Sequence, residues 1–267
     1  MKRFFFQSKK TPSPQLGADG RQFFFLHIPK TAGISFAAFL CSHFEQTEIL
    51  QGSYWEVIRK RPISELSTYR LITGHIGYDL VFHLKNPFVI TILRHPVDRL
   101  CSLYEYLNQV FDREPNTIAS DPDINALNQL WKIAVRRSLP EFLESTEAPV
   151  LAALLQNPQA RQLAQATPYL LTDLSDEQLF QLAKSRLSKI EVVGTADSFA
   201  NTVNVTCRKT GWGLPEDFSR YNLNITEKRP VRDLLDKSLR QKIERMCAVD
   251  TELYHLAQKR LLDDLRE

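Results

Sequence analysis

Residues 23–36 read Phe-Phe-Phe-Leu-His-Ile-Pro-Lys-Thr-Ala-Gly-Ile-Ser-Phe. The continuous apolar run Phe23 to Leu26 predicts a strand buried on both faces. His27 to Gly33 then reads as a turn rich in small and polar residues. From Ile34 the period changes: Ile34, Ala37, Ala38 and Cys41 recur at helical spacing, and Phe36, Phe39 and Leu40 widen the apolar face. A strand, a turn and a helix in this order point free backbone N–H groups at an anion. Lys30 adds a cation, and Thr31 and Ser35 add hydroxyls. The stretch predicts a phosphate-binding turn, although it lacks the two spaced glycines and the Gly-Lys-Ser/Thr ending of a Walker loop.

The same pattern recurs downstream. Arg70 to Thr73 is a short apolar strand ending in Gly74-His75. Phe88 to Leu93, rich in β-branched residues, is the most strand-like run in the chain. It ends in Arg94-His95-Pro96, and Pro96 suits the first turn of a helix that continues through Val97, Leu100, Tyr104, Leu107 and Phe111. Repeated β-turn-α units imply an α/β fold, a P-loop-like parallel sheet flanked by helices. Ile190 to Val193, ended by Gly194, is a further strand, and a helix follows from about Ser198 to Gly211.

Between these elements the signals are weaker. Glu45 to Tyr69 reads as irregular. Residues 112–189 show no strand and predict a helical insertion: a loop over Asp112 to Pro122, a helix over Ile124 to Arg137, and capping boxes at Ser138–Glu141 and Ser175–Gln178. Two amphipathic helices close the chain, Ser238 to Cys247 and Asp250 to Arg266, with N-caps expected at Ser238 and Asp250. Residues 1–21 read as a flexible arm and 22–267 as one domain.

A length of 267 residues permits a sizeable core, and the net charge of +3 suits an anionic ligand without arguing for nucleic acid. No apolar run approaches the ~20 residues of a membrane span. Stable membrane insertion is therefore not expected. With no targeting segment in view, the expected location is cytoplasmic, or the Golgi lumen if an anchor has been removed. Cys41, Cys101, Cys207 and Cys247 form no CxxC pair and fall in apolar helical patterns, which predicts reduced core thiols. The histidines have no metal-ligand spacing, so no metal is expected. Nothing in the sequence sets an oligomeric state.

Three sets of residues can carry chemistry. Lys30 lies in the anion-binding turn. Arg94 ends a strand, and Ser102 sits about two helical turns later, so a guanidinium and a hydroxyl can converge on one phosphate. The plain alternative is an Arg94–Asp98 pair with Ser102 as a polar surface position. His75 ends another strand, on the same sheet edge as Lys30 and Arg94, and an imidazole there can act as a general base.

Two stretches resemble the binding motifs of sulfotransferases that use 3′-phosphoadenosine 5′-phosphosulfate (PAPS). His27-Ile-Pro-Lys30-Thr31-Ala-Gly33-Ile-Ser35 is similar to their 5′-phosphosulfate motif. Leu93-Arg94-His-Pro96-Val-Asp-Arg99-Leu-Cys-Ser102-Leu-Tyr104 is similar to their 3′-phosphate motif. The nearest pattern is that of the carbohydrate sulfotransferases, the group containing heparan sulfate 2-O-sulfotransferase. Val193-Gly194-Thr195, Asn222 to Pro230 and Asp250 to Tyr254 resemble later parts of that domain. The likeness runs from about Gln22 to Leu262 and is strongest in the two binding motifs.

The resemblance implies that the turn amides of Thr31, Ala32, Gly33, Ile34 and Ser35, with the Thr31 and Ser35 hydroxyls, hold the 5′-phosphate. Lys30 would contact the oxygen bridging phosphate and sulfate. Arg94 and Ser102 would hold the 3′-phosphate, with Lys228 and Arg229 adding cationic contacts. His75 matches the second histidine of a His-Gly-His pattern whose base role it would share, and Thr73 stands where the first would be. The implied acceptor is a hydroxyl, on a glycan or a glycosylated small molecule, and no metal is needed. A nucleotide-dependent kinase and a non-catalytic nucleotide-binding module are the alternatives.

Overall fold

Five strands are placed in the computed structural model: β1 (Phe23–Leu26), β2 (Ile49–Tyr54), β3 (Leu71–His75), β4 (Phe88–Leu93) and β5 (Val192–Thr195). They form one sheet in the order β2-β3-β1-β4-β5, and every pairing is parallel. The structure describes residues 21–113, 137–144, 149–167, 169, 171, 173–216 and 235–267. The expected N-terminal arm (save Arg21), the helix over 124–137 except its last residue, and Lys228 and Arg229 lie outside them.

Helices cover both faces: α1 (Gly33–Cys41), the short α2 (Trp55–Ile58) and α3 (Ile63–Leu66), and α4 (Pro96–Arg113). The middle of the chain contributes α5 (Leu139–Leu143), α6 (Pro149–Leu155), α7 (Pro158–Ala164) and α8 (Asp176–Leu187). Then come α9 (Phe199–Thr210), α10 (Lys237–Met246) and α11 (Ala248–Arg266). No described helix is long and apolar enough to cross a membrane.

Strand alternation divides the apolar residues between two cores. Phe24, Leu26, Ile72, Val89 and Val193 pack with Leu163 of α7, Ala183 of α8 and Leu253 of α11. Phe23, Phe25, Leu71, Ile90 and Val192 face the other way, onto Phe36, Phe39 and Leu40 of α1 and Val203 of α9. A third cluster joins Leu100, Leu103 and Leu107 of α4 to Phe142, Leu154 and Leu155. Among the cysteines, all four are free and three are buried.

Several sequence expectations require correction. Residues 49–54 form β2 although the stretch reads as irregular. An edge strand pairs on one side only, so it needs less apolar character, and Gly52 bulges at φ 74°. β3 extends to His75, and β5 includes Gly194 and Thr195 rather than ending before them. Gly194 is in the strand because α9 crosses closely: a Cβ there would lie 2.1 Å from Thr202 Cγ2. Ile34 is 55 % exposed and off the packed face of α1. At α10 the cap is Asp236, whose carboxylate accepts from Ser238 N and Leu239 N. Asp250 lies inside the first turn of α11 and serves another helix. Both capping boxes are present.

Candidate functional site

From β1 the chain leads through α1 towards the β2 edge, whereas from β4 it leads towards β5 at the opposite edge. The connections therefore diverge where the carboxyl ends of β1 and β4 lie side by side. Open parallel sheets bind their ligands at such a point. Lys30 follows β1 and Arg94 follows β4, and the Arg94 guanidinium Nη1 donates to the Lys30 carbonyl at 3.2 Å.

The turn itself is strained. Lys30 and Ala32 both take left-handed backbone, at φ 70° and 66°, a conformation that costs a side-chain-bearing residue about 1–2 kcal/mol. Such strain persists where surrounding bonds over-determine it. Here the Thr31 hydroxyl donates to the Ile28 carbonyl at 2.9 Å, Arg94 holds the Lys30 carbonyl, and Phe36 N donates to the Ala32 carbonyl at 3.2 Å. Ala32 is also the N-cap of α1, and an alanine supplies no capping oxygen. The amides of Gly33, Ile34 and Ser35 receive no side-chain cap among the described residues, so the first turn of α1 presents donors suited to an anion. Thr31 is fully buried with its hydroxyl directed at Ile28, so its contribution to an anion falls to its amide.

His27 and His75 lie against this turn. The rings are 4.5 Å apart, and His27 stacks on Phe25 with ring planes 10° apart. His27 also presses on α1: a Cβ at Gly33 would lie 1.9 Å from its Cδ2. His75 Nδ1 bonds the His27 carbonyl at 3.0 Å. A carbonyl only accepts, so Nδ1 carries the proton and the lone pair resides on Nε2. Burial pushes the His75 pKa below its ordinary value; the bond to His27 opposes this, and Lys30 adds to it. Burial, His75 and Lys30 together hold His27 well below. Both shifts favour the neutral ring. Thr73, two residues before His75, is buried within β3.

On the β4 side, Ser102 is buried rather than a surface position. Arg94 is close enough to the neighbouring Cys101 to oppose the rise of its thiol pKa, which burial drives to about 12. Tyr106, one helical turn beyond Ser102, receives the Lys30 ammonium on its ring face at 3.9 Å from the centroid. Arg99 is fully buried and donates from Nη2 to the Leu154 carbonyl at 2.9 Å, tying α4 to α6.

The helical middle supplies the supports. Gln159 accepts from Arg94 N and donates to the Arg94 carbonyl, both at 2.9 Å. Gln162 donates to the His27 carbonyl at 3.0 Å and to the Ile76 carbonyl at 3.1 Å. The Asp250 carboxylate accepts from Gln159 N at 3.2 Å and Ala160 N at 2.8 Å, capping α7 from α11. Burial raises the Asp250 pKa, while Arg99 and the α7 amides hold it down.

Of the residues singled out in the sequence, Lys30, Arg94 and His75 are thus joined through the turn, and Ser102 is buried in α4 one helical turn before the Tyr106 that meets Lys30. His27, Tyr106, Gln159, Gln162 and Asp250 take part as well. Tyr106, Gln159 and Gln162 act on backbone groups or on a lysine distant in sequence, which leaves no sequence pattern; only His27 and Asp250 fall within the quoted motifs. A scan against protein-family models and a search of curated proteins returned no match.

Proposed function

We propose that the protein is a PAPS-dependent sulfotransferase acting on a hydroxyl, most plainly that of a carbohydrate. The reading rests on the two sequence motifs, and one observation carries it further: Arg94 of the 3′-phosphate motif bonds the backbone of Lys30 in the 5′-phosphosulfate motif. A ligand gripped by both would need phosphates at two ends. The residues fit such a donor. The uncapped amides of Gly33 to Ser35 suit a 5′-phosphate, and the guanidinium of Arg94 with the buried Ser102 hydroxyl suits a 3′-phosphate.

Bound PAPS supplies an activated sulfuryl group and departs as 3′-phosphoadenosine 5′-phosphate. His75 takes the proton of the acceptor hydroxyl on Nε2 as that oxygen bonds to sulfur. Its Nδ1–H stays on the His27 carbonyl, which stabilises the imidazolium that forms. Lys30 offsets the negative charge that grows on the phosphate oxygen as the sulfur–oxygen bond breaks. Positioning and preorganised positive charge lower the barrier.

Thermal-shift titration tests the reading. Stabilisation by 3′-phosphoadenosine 5′-phosphate, and none by ATP with magnesium, is expected. The reverse order would favour a kinase. Arg94→Ala and Ser102→Ala should weaken nucleotides that carry the 3′-phosphate and spare those that lack it. His75→Ala should abolish transfer of labelled sulfate while nucleotide binding persists; unchanged turnover would remove His75 as the base.

A further inference from the structure

Gln159 and Gln162 lie three residues apart on α7, a spacing that puts both side chains on one face. That face meets the main chain at the carboxyl ends of three strands: His27 after β1, Ile76 after β3 and Arg94 after β4. Both glutamines are fully buried. Three of the four hydrogen bonds go to backbone groups of His27 and Arg94 in the candidate site, and the fourth goes to the carbonyl of Ile76, next to His75.

The His27 carbonyl is shared. One donor is Gln162 Nε2 at 3.0 Å and the other is His75 Nδ1 at 3.0 Å. An sp² oxygen has two lone pairs, so Gln162 leaves one direction for the His75 N–H. Gln162 Oε1 has no partner among the described residues. Turning the amide round would set that oxygen against two carbonyls, so the donor orientation is the one the site enforces. Gln159 acts in the same way on the other side, holding both the N–H and the C=O of Arg94. Asp250, itself buried, anchors the amino end of α7 beneath them.

We infer that α7 is the positioning element of the site, with Gln162 setting the orientation and tautomer of His75 and Gln159 setting the reach of Arg94. The chemical importance of these two roles rests on the sulfotransferase reading; the positioning itself does not. The two halves of the reaction, base and donor grip, would then be held in register by one helix through two side chains that touch neither substrate.

The roles separate in an experiment. Gln162→Met and Gln159→Met keep length and remove hydrogen bonding. NMR spectra of isotope-labelled histidine in ligand-free protein read the tautomer of His75 directly. In Gln162→Met the Nδ1-protonated form should lose its dominance and the titration of His75 should shift; in Gln159→Met both should match the wild type. Nucleotide titration should give the converse. Gln159→Met should lower the preference for 3′-phosphoadenosine 5′-phosphate over adenosine 5′-phosphate by about fivefold or more, as loss of two hydrogen bonds suggests. Gln162→Met should keep that preference and lower kcat. If Gln162→Met does not fold, Gln162→Asn retains the amide and withdraws it from His27, and the same spectra are read. Unchanged His75 spectra in a folded Gln162 variant overturn the inference, as does an unchanged nucleotide preference in Gln159→Met. If the wild type binds no 3′-phosphorylated nucleotide, the sulfotransferase reading falls, and the histidine spectra alone decide the positioning role.

Discussion

The ammonium of Lys30 rests on the face of Tyr106, 3.9 Å from the ring centre, although the two residues lie on different elements. This contact spans the gap between the turn after β1 and the second half of α4. Tyr106 lies one helical turn beyond the buried Ser102. If Lys30 contacts the leaving group as proposed, Lys30→Ala should cut turnover sharply with a smaller change in donor affinity, because such a contact is strongest in the transition state. Steady-state kinetics with labelled PAPS measure both, and an unchanged kcat removes the leaving-group role. Tyr106→Phe keeps the ring face and so the contact with the ammonium. Tyr106→Leu loses a cation–π contact of about 0.5–1 kcal/mol, so its turnover should change only a few-fold.

The neutral state of His75 predicts a pH profile. An unperturbed histidine protonates near 6.5, and burial moves His75 below that value. On the proposed reading, His75 as base stays deprotonated on the acid side and keeps working there. The acid limb of kcat/KM, which reports the ligand-free enzyme, should then have its midpoint below pH 6.5. A midpoint above 6.5 in that profile would mean that another group limits the reaction.

Gly33 is required by contact rather than by backbone angle. A Cβ would meet the His27 ring at 1.9 Å and force it from Phe25 and His75. Gly33→Ala should destabilise the fold by about 1–3 kcal/mol through overpacking. It should also weaken nucleotide binding, since the displaced ring carries the turn with it. Gly213→Ala, where a Cβ meets nothing within 4 Å, is the matched control. Denaturant unfolding of both variants gives the comparison.

Acid should destabilise the protein before its carboxylates titrate. His43 lies 4.0 Å from the Trp212 ring, and burial takes its pKa from 6.5 to about 4. Between those values the unfolded chain binds a proton that the native chain refuses, so stability rises with pH across this window and falls on acidification. His27 and His75 act with the same sign. The unfolding temperature should drop as pH falls from 6.5 towards 4, and His43→Phe should flatten part of that slope. An equal slope in the variant would assign the effect elsewhere.

Local signals in the chain carried far for the central strands and the helix ends. Phe23 to Leu26 and Phe88 to Leu93 are apolar on both faces because their strands are covered on both sides, and that demand is written in composition. Ser138 and Ser175 cap with residues three positions away, and Gly211 ends α9 in left-handed backbone at φ 71°. β2 escaped because an edge strand with one partner tolerates Gln51, Gly52 and Ser53. Asp250 reads in the sequence as the N-cap of its own helix; it lies inside the first turn of α11 and caps α7, which is far off in sequence.

The succession of strand, turn and helix is written in the chain, together with Lys30, His75 and Arg94 near strand ends and Ser102 on the helix after β4, because each depends on residues within a few positions. Only the tertiary structure decided that β1 lies between β3 and β4, which brings those strand ends together at the point where the connections diverge. It also decided which groups hold them. His75 answers to the carbonyl of His27, Arg94 to Gln159 and to the carbonyl of Lys30, and the Lys30 ammonium to Tyr106. Backbone acceptors are the same in every residue, so no side-chain pattern along the chain can mark which of them a distant glutamine or histidine will find.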